Sequence, residues 1–116
     1  MNFTVSRDGT TLVTLHEGTD TTACAAATTE LRTALESLDG AEALSHWTVD
    51  DAEVYEPPNA PFDPYTITVA FTVTVTVDAA DVEAAKAIGA TAIEEALESA
   101  DIDAISYSSA PVPSAA

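Results

Sequence analysis

Only three residues of this 116-residue chain are basic, Arg7, Arg32 and Lys86, against twenty aspartates and glutamates. They lie far apart and form no basic stretch. Phosphate contacts need clustered Lys and Arg, so nucleic acid is excluded as an expected partner. A single cysteine, Cys24, rules out an intrachain disulfide. The four glycines are too dispersed to cradle a phosphate. The chain also lacks a Gly-x-Ser-x-Gly elbow, a His-Glu-x-x-His helix and an Asp-x-Asp-x-Asp-Gly calcium loop. No apolar run approaches the ~20 residues of a membrane span, and no basic-then-apolar leader opens the chain. The expectation is a soluble protein with no membrane association.

What is present is abundant acid, together with apolar residues that fall in clear periodic patterns. The formal net charge is −17, yet 47% of residues are hydrophobic. High charge at low hydrophobicity signals disorder, but this hydrophobicity is not low. The length fits one domain, expected over residues 1–110, with a Pro/Ser/Ala tail at 111–116. A compact body of this charge repels itself in ordinary salt. At molar salt the Debye length shrinks to roughly 3 Å and that penalty largely vanishes. In this respect the composition resembles acidic proteins of the salt-saturated haloarchaeal cytosol, or of viruses that grow there. That resemblance implies a requirement for high monovalent salt and a cytoplasmic or virion location. It carries no family-specific motif.

Along the chain, residues 2–17 read as a hairpin. Phe3 and Val5 alternate with polar residues, as do Val13 and Leu15, around an Asp8-Gly9 pair suited to a tight turn. Gly18-Thr19-Asp20-Thr21-Thr22 is a cluster of helix N-cap residues. Cys24, Ala27, Leu31, Ala34, Leu35 and Leu38 then recur at helical spacing up to Asp39-Gly40. Trp47 and Val49 occupy one strand phase and Ala52 and Val54 the other, which predicts a β-bulge at Asp50-Asp51. Four prolines at 57, 58, 61 and 64 make a stiff loop.

Tyr65, Ile67, Val69, Phe71, Val73, Val75 and Val77 alternate with Thr66, Thr68, Ala70, Thr72, Thr74 and Thr76 without a break. At ~3.3 Å per residue this strand spans about 40 Å, more than a small helix layer covers. Asp78 and Asp81 are candidate caps for a helix carrying Val82, Ala85, Ile88, Gly89, Ala92, Ile93, Ala96 and Leu97. Small residues at 85, 89, 92 and 96 predict a close approach to its neighbour. Residues 102–109 read as a last strand. The predicted order is ββαββαβ, an α+β domain. Its last six elements resemble a ferredoxin-like antiparallel sheet with two helices on one face, preceded by an extra N-terminal strand.

Few residues are candidates for chemistry. Cys24 in a first helical turn, with His16 and His46, admits a Cys–His nucleophile. The same three, with Asp20 or Asp50, are weak candidates for a metal. Cys24 shares the apolar helix stripe, however, and the spacing matches no zinc signature. Paired carboxylates such as Glu94-Glu95 are expected in so acidic a chain. No enzyme, cofactor or metal is predicted.

The threonines at 66, 68, 72, 74 and 76 stand out, because their face is uncharged in a strongly acidic chain. With Phe62 in the proline loop they are the expected interaction surface. The expected function is a non-enzymatic structural or interaction module. It self-associates or joins a larger assembly such as a haloarchaeal virion. A small-ligand or metal-sensing regulatory domain is the alternative, with a site at His16, His46 or Trp47.

Overall fold

The computed structural model describes every residue except Glu42, Pro58, Pro61, Phe62, Asp103 and Ala116. Five strands and two helices follow in the order β1 (Asn2–Leu15), α1 (Asp20–Gly40), β2 (His46–Glu56), β3 (Tyr65–Asp78), α2 (Val82–Ser99), β4 (Ser106–Tyr107) and β5 (Val112–Ala115). The sheet is antiparallel in the order β2-β3-β1-β4, with β5 also on β1.

Residues 2–15 are one strand and not a hairpin. They pair with β3 in unbroken register from Asn2 opposite Asp78 to Leu15 opposite Tyr65. The extra N-terminal strand is therefore not formed. Phe3, Val5, Val13 and Leu15 share one alternation phase, as a continuous strand requires. Gly9 serves a close approach instead of a turn. A Cβ there would lie 3.0 Å from Phe71 Cζ and 3.2 Å from the Ser106 carbonyl oxygen. No glycine takes a positive φ.

α1 opens on a reciprocal cap. Thr19 Oγ1 accepts from the Thr22 backbone N–H at 3.2 Å, and the Thr19 N–H donates to Thr22 Oγ1 at 3.3 Å. Its buried stripe is Ala23, Ala27, Leu31, Leu35 and Leu38, with Cys24 half-buried at the margin. Asp81 caps α2, accepting from the Ala84 N–H at 2.8 Å. α2 buries Ala85, Gly89, Ile93, Ala96 and Leu97, while Val82 and Ile88 are exposed.

The odd residues of β3 join the buried residues of both helices in a single core. α1 lies over β2 and β3, and α2 over β1 and β3. The anticipated bulge is present: Val49 pairs with Phe71 and Ala52 with Val69, so Asp50-Asp51 is the irregularity. It returns Ala52 and Val54 to the face of Trp47 and Val49. No helix among the described residues is long and apolar enough to cross a membrane.

The C-terminal segment departs most from expectation. Asp101 and Ala104 take φ of 58° and 51°, and the left-handed Ala104 interrupts the strand expected over 102–109. Only Ser106 and Tyr107 pair there, with Thr10 and Gly9. Residues 112–115 are not a free tail, because they form β5 against Phe3–Ser6. The molecule measures 55 × 25 × 19 Å. It is elongated because β1 and β3 have 14 residues each. Such strands reach about 46 Å, beyond the ~32 Å and ~27 Å of the two helices.

Candidate functional site: the open sheet face and a free strand edge

The helices leave one sheet face uncovered, and the even residues of β3 lie on it. Thr66, Thr68, Thr72 and Thr74 are half-buried there, and Thr76 is exposed. Directly paired residues share a face, so β1 adds Thr4, Ser6, Asp8, Thr10, Leu12 and Thr14. β2 adds His46, Thr48 and Glu53 from the other side. The threonine row is therefore the middle of the face and is bordered by acid.

Hydroxyls knit this face together. Ser6 Oγ and Thr74 Oγ1 are 2.7 Å apart. Thr72 Oγ1 donates to Asp8 Oδ1 at 2.7 Å and lies 3.4 Å from Asp50 Oδ2. Thr48 Oγ1 donates to Asp50 Oδ1 at 3.3 Å. Sequence reasoning located the threonines but missed the flanking carboxylates, whose placement depends on strand pairing. Phe62, the remaining candidate for this surface, lies outside the described residues.

The three weak metal candidates are not brought together. His16 follows Leu15, which pairs with Tyr65, whereas His46 pairs with Thr74. Those positions are nine residues apart on β3, about 30 Å at the strand rise. Cys24 packs against the core from α1. Among the described residues, no group of three or more His, Cys, Asp or Glu is arranged to hold a metal ion.

A cavity of about 610 Å³ lies elsewhere, between the Thr11–Thr14 end of β1, the middle of α1 and Ala100, Asp101, Ile102 and Ala104. Leu31, Ala34 and Ile102 supply apolar lining, and Glu30 and Asp101 supply charge. Neither His16, His46 nor Trp47 lines it.

Arg7 is a half-buried cation held by several contacts. Its guanidinium stacks on Tyr107 at 3.9 Å from the ring centroid and lies 3.7 Å from Glu94. Its Nε donates to the Ser109 carbonyl at 3.1 Å, which ties the C-terminal segment to β1. Every described Asp and Glu is exposed.

Two tyrosines hold their protons more tightly than usual. A hydrogen bond to Asp20, then burial, then the charge of Asp20 push Tyr65 above its ordinary pKa of 10.0. Burial first and Glu94 second raise Tyr107, against an opposing effect of Arg7. A folded-state pKa raised in this way contributes stability that is complete below the unfolded value. That contribution is lost as pH rises through the folded value. Thermal melts from about pH 8 to about pH 11 should show stability falling once tyrosine begins to ionise. Loss of this fall in a Tyr65→Phe, Tyr107→Phe double variant would assign it to these residues.

No protein-family model, curated protein or solved structure matches the chain.

Proposed function

We propose that the chain is a non-enzymatic structural or interaction module that self-associates or forms part of a larger assembly in high monovalent salt. The observation that carries this reading is the open sheet face. A row of threonine and serine hydroxyls runs along two 14-residue strands, on the sheet face opposite the two helices. Hydroxyls leave most of this surface uncharged, and salt screens Asp8 within it and the acid at its border, so copies can approach over it. The strand order β2-β3-β1-β4 within βαββαβ connectivity supports a ferredoxin-like reading of the domain, with β5 as an addition. That fold hosts unrelated functions and does not select among them.

The net charge of −17 and the exposure of the described carboxylates support a salt-saturated setting, either a haloarchaeal cytosol or a virion assembled there. Neither nucleic acid nor membrane is part of the proposal, and no cofactor is invoked. Light scattering in ~2 M KCl, where charge is screened, should give a mass above that of one chain. A strict monomer at the highest attainable concentration would reject self-association.

A further inference from the structure

β1 exposes backbone hydrogen-bonding groups at one end, and their direction can be read from Asp8. The Asp8 carbonyl accepts from the Ser108 N–H at 3.0 Å, and its N–H donates to Ser109 Oγ at 3.1 Å. Backbone direction alternates along a strand, so Thr10, Leu12 and Thr14 point the same way. Thr10 meets Ser106, and among the described residues pairing on this side stops there. The N–H and C=O of Leu12 and Thr14 therefore face outward beside the cavity lined by Leu31, Ala34 and Ile102.

The other outer edges are blunted. β2 carries Asp50, Asp51, Glu53 and Glu56 and two register shifts. Pro113 in β5 is opposite Val5, whose own backbone groups point toward β3, so its missing donor is on the outer side. By contrast, residues 11–15 read Thr-Leu-Val-Thr-Leu, with no charge and no proline.

We propose that this edge pairs with the same edge of a second copy, antiparallel about a two-fold axis at Val13. The inference rests on the self-association reading and adds to the open face a second contact, at the sheet edge. With the axis at Val13, Leu12 of each copy lies opposite Thr14 of the other. The four outward groups per copy then form four hydrogen bonds with none left over. A patch that meets its own copy must be self-complementary in this way. Paired positions share a face, so Val13 meets Val13 on the helix side, and Leu15 of each copy sits beside Thr11 of the other. These apolar side chains meet near the cavity wall formed by Leu31, Ala34 and Ile102. Glu30 and Asp101 at the cavity add like charge, so KCl strengthens the pairing by screening.

Two variants test the register in ~2 M KCl, with sedimentation equilibrium as the readout. Thr14→Pro removes an outward N–H and leaves the β1–β3 ladder intact, as edge prolines do. It should weaken dimerisation by at least about tenfold, because one donor is lost from each copy. The second variant, Val13→Cys in a Cys24→Ala background, keeps all the backbone donors. A non-hydrogen-bonded antiparallel pair holds its Cα atoms ~4.5 Å apart, within disulfide range. Mild oxidation should therefore give a covalent dimer, whereas Leu15→Cys in the same background should not. A wild-type dimer that Thr14→Pro leaves intact, or that Val13→Cys does not cross-link, overturns this edge and keeps self-association on another surface. A wild-type monomer overturns both.

Discussion

Replacing Gly89 with alanine should lower the melting temperature by roughly 10 °C, even though alanine is the better helix former. In α2 that substitution favours the helix by ~0.8–1 kcal/mol on propensity alone. The site has no room for it. A Cβ at Gly89 would lie 2.5 Å from both Val5 Cβ and Val5 Cγ2, and 2.6 Å from Cγ1. Val5 is fully buried and β-branched, and it is fixed in β1 between its β3 and β5 partners. It has few rotamers with which to yield.

Relief requires α2 to lift from the sheet, which opens gaps around Ile93 and Leu97. Overpacking of this kind costs about 1–3 kcal/mol. For a domain of about 100 residues, each kcal/mol corresponds to roughly 4–8 °C. Gly40 is the control, because it is also helical and a Cβ there meets nothing within 4 Å. Thermal melts of both variants and of the Val5→Ala, Gly89→Ala double variant provide the check. The double variant should recover part of the loss, since contacting residues are coupled. Equal melting temperatures for Gly89→Ala and wild type would show that α2 does not ride this closely on β1.

Salt should produce an effect of similar or greater size. Folding gathers seventeen uncompensated negative charges that an extended chain keeps apart. Two ion pairs are found among the described residues, Met1 N-terminus with Asp78 and Arg7 with Glu94. Monovalent salt stabilises such a body by screening at low concentration. Salting-out of apolar surface adds to this only for well-excluded ions at high concentration. The melting temperature is expected to rise between ~0.1 M and ~2 M KCl, with most of the rise in the lower part of that range. A flat or falling profile would reject adaptation to salt, and the acidity would then require a functional explanation. Because self-association also stabilises the folded state, the melts belong at two protein concentrations.

Much of the fold was legible in local patterns. β3 could be read from its alternation because a central strand with one buried face leaves a period-two record. The bulge at Asp50-Asp51 was legible for a related reason: only an inserted residue explains a phase change inside one strand. The helix starts at Thr19 and Asp81 follow from side-chain oxygens that satisfy free N–H groups a few residues away. These interactions lie close along the chain, so sequence contains both partners.

The features that only the tertiary structure decided involve distant residues. Asp8-Gly9 has the chemistry of a tight turn. The glycine is instead needed because the Phe71 ring, sixty-two residues on, presses against its α-carbon. Tertiary packing overrode local turn preference. Residues 112–115 look like a tail until the unsatisfied edge of Phe3–Ser6 is known to lie beside them. The threonine row looks uncharged until strand pairing places Asp8 and Asp50 beside Thr72. The free edge at Leu12 and Thr14 cannot be read from their side chains at all. It exists because, among the described residues, β4 pairs with β1 at Gly9 and Thr10 alone. Sequence by itself determined the acidic surface, the buried faces and the helix boundaries, because composition, periodicity and capping are local properties. Tertiary structure decided which backbone groups remain unpaired, because hydrogen-bond satisfaction along a sheet edge depends on neighbours about a hundred residues away in sequence.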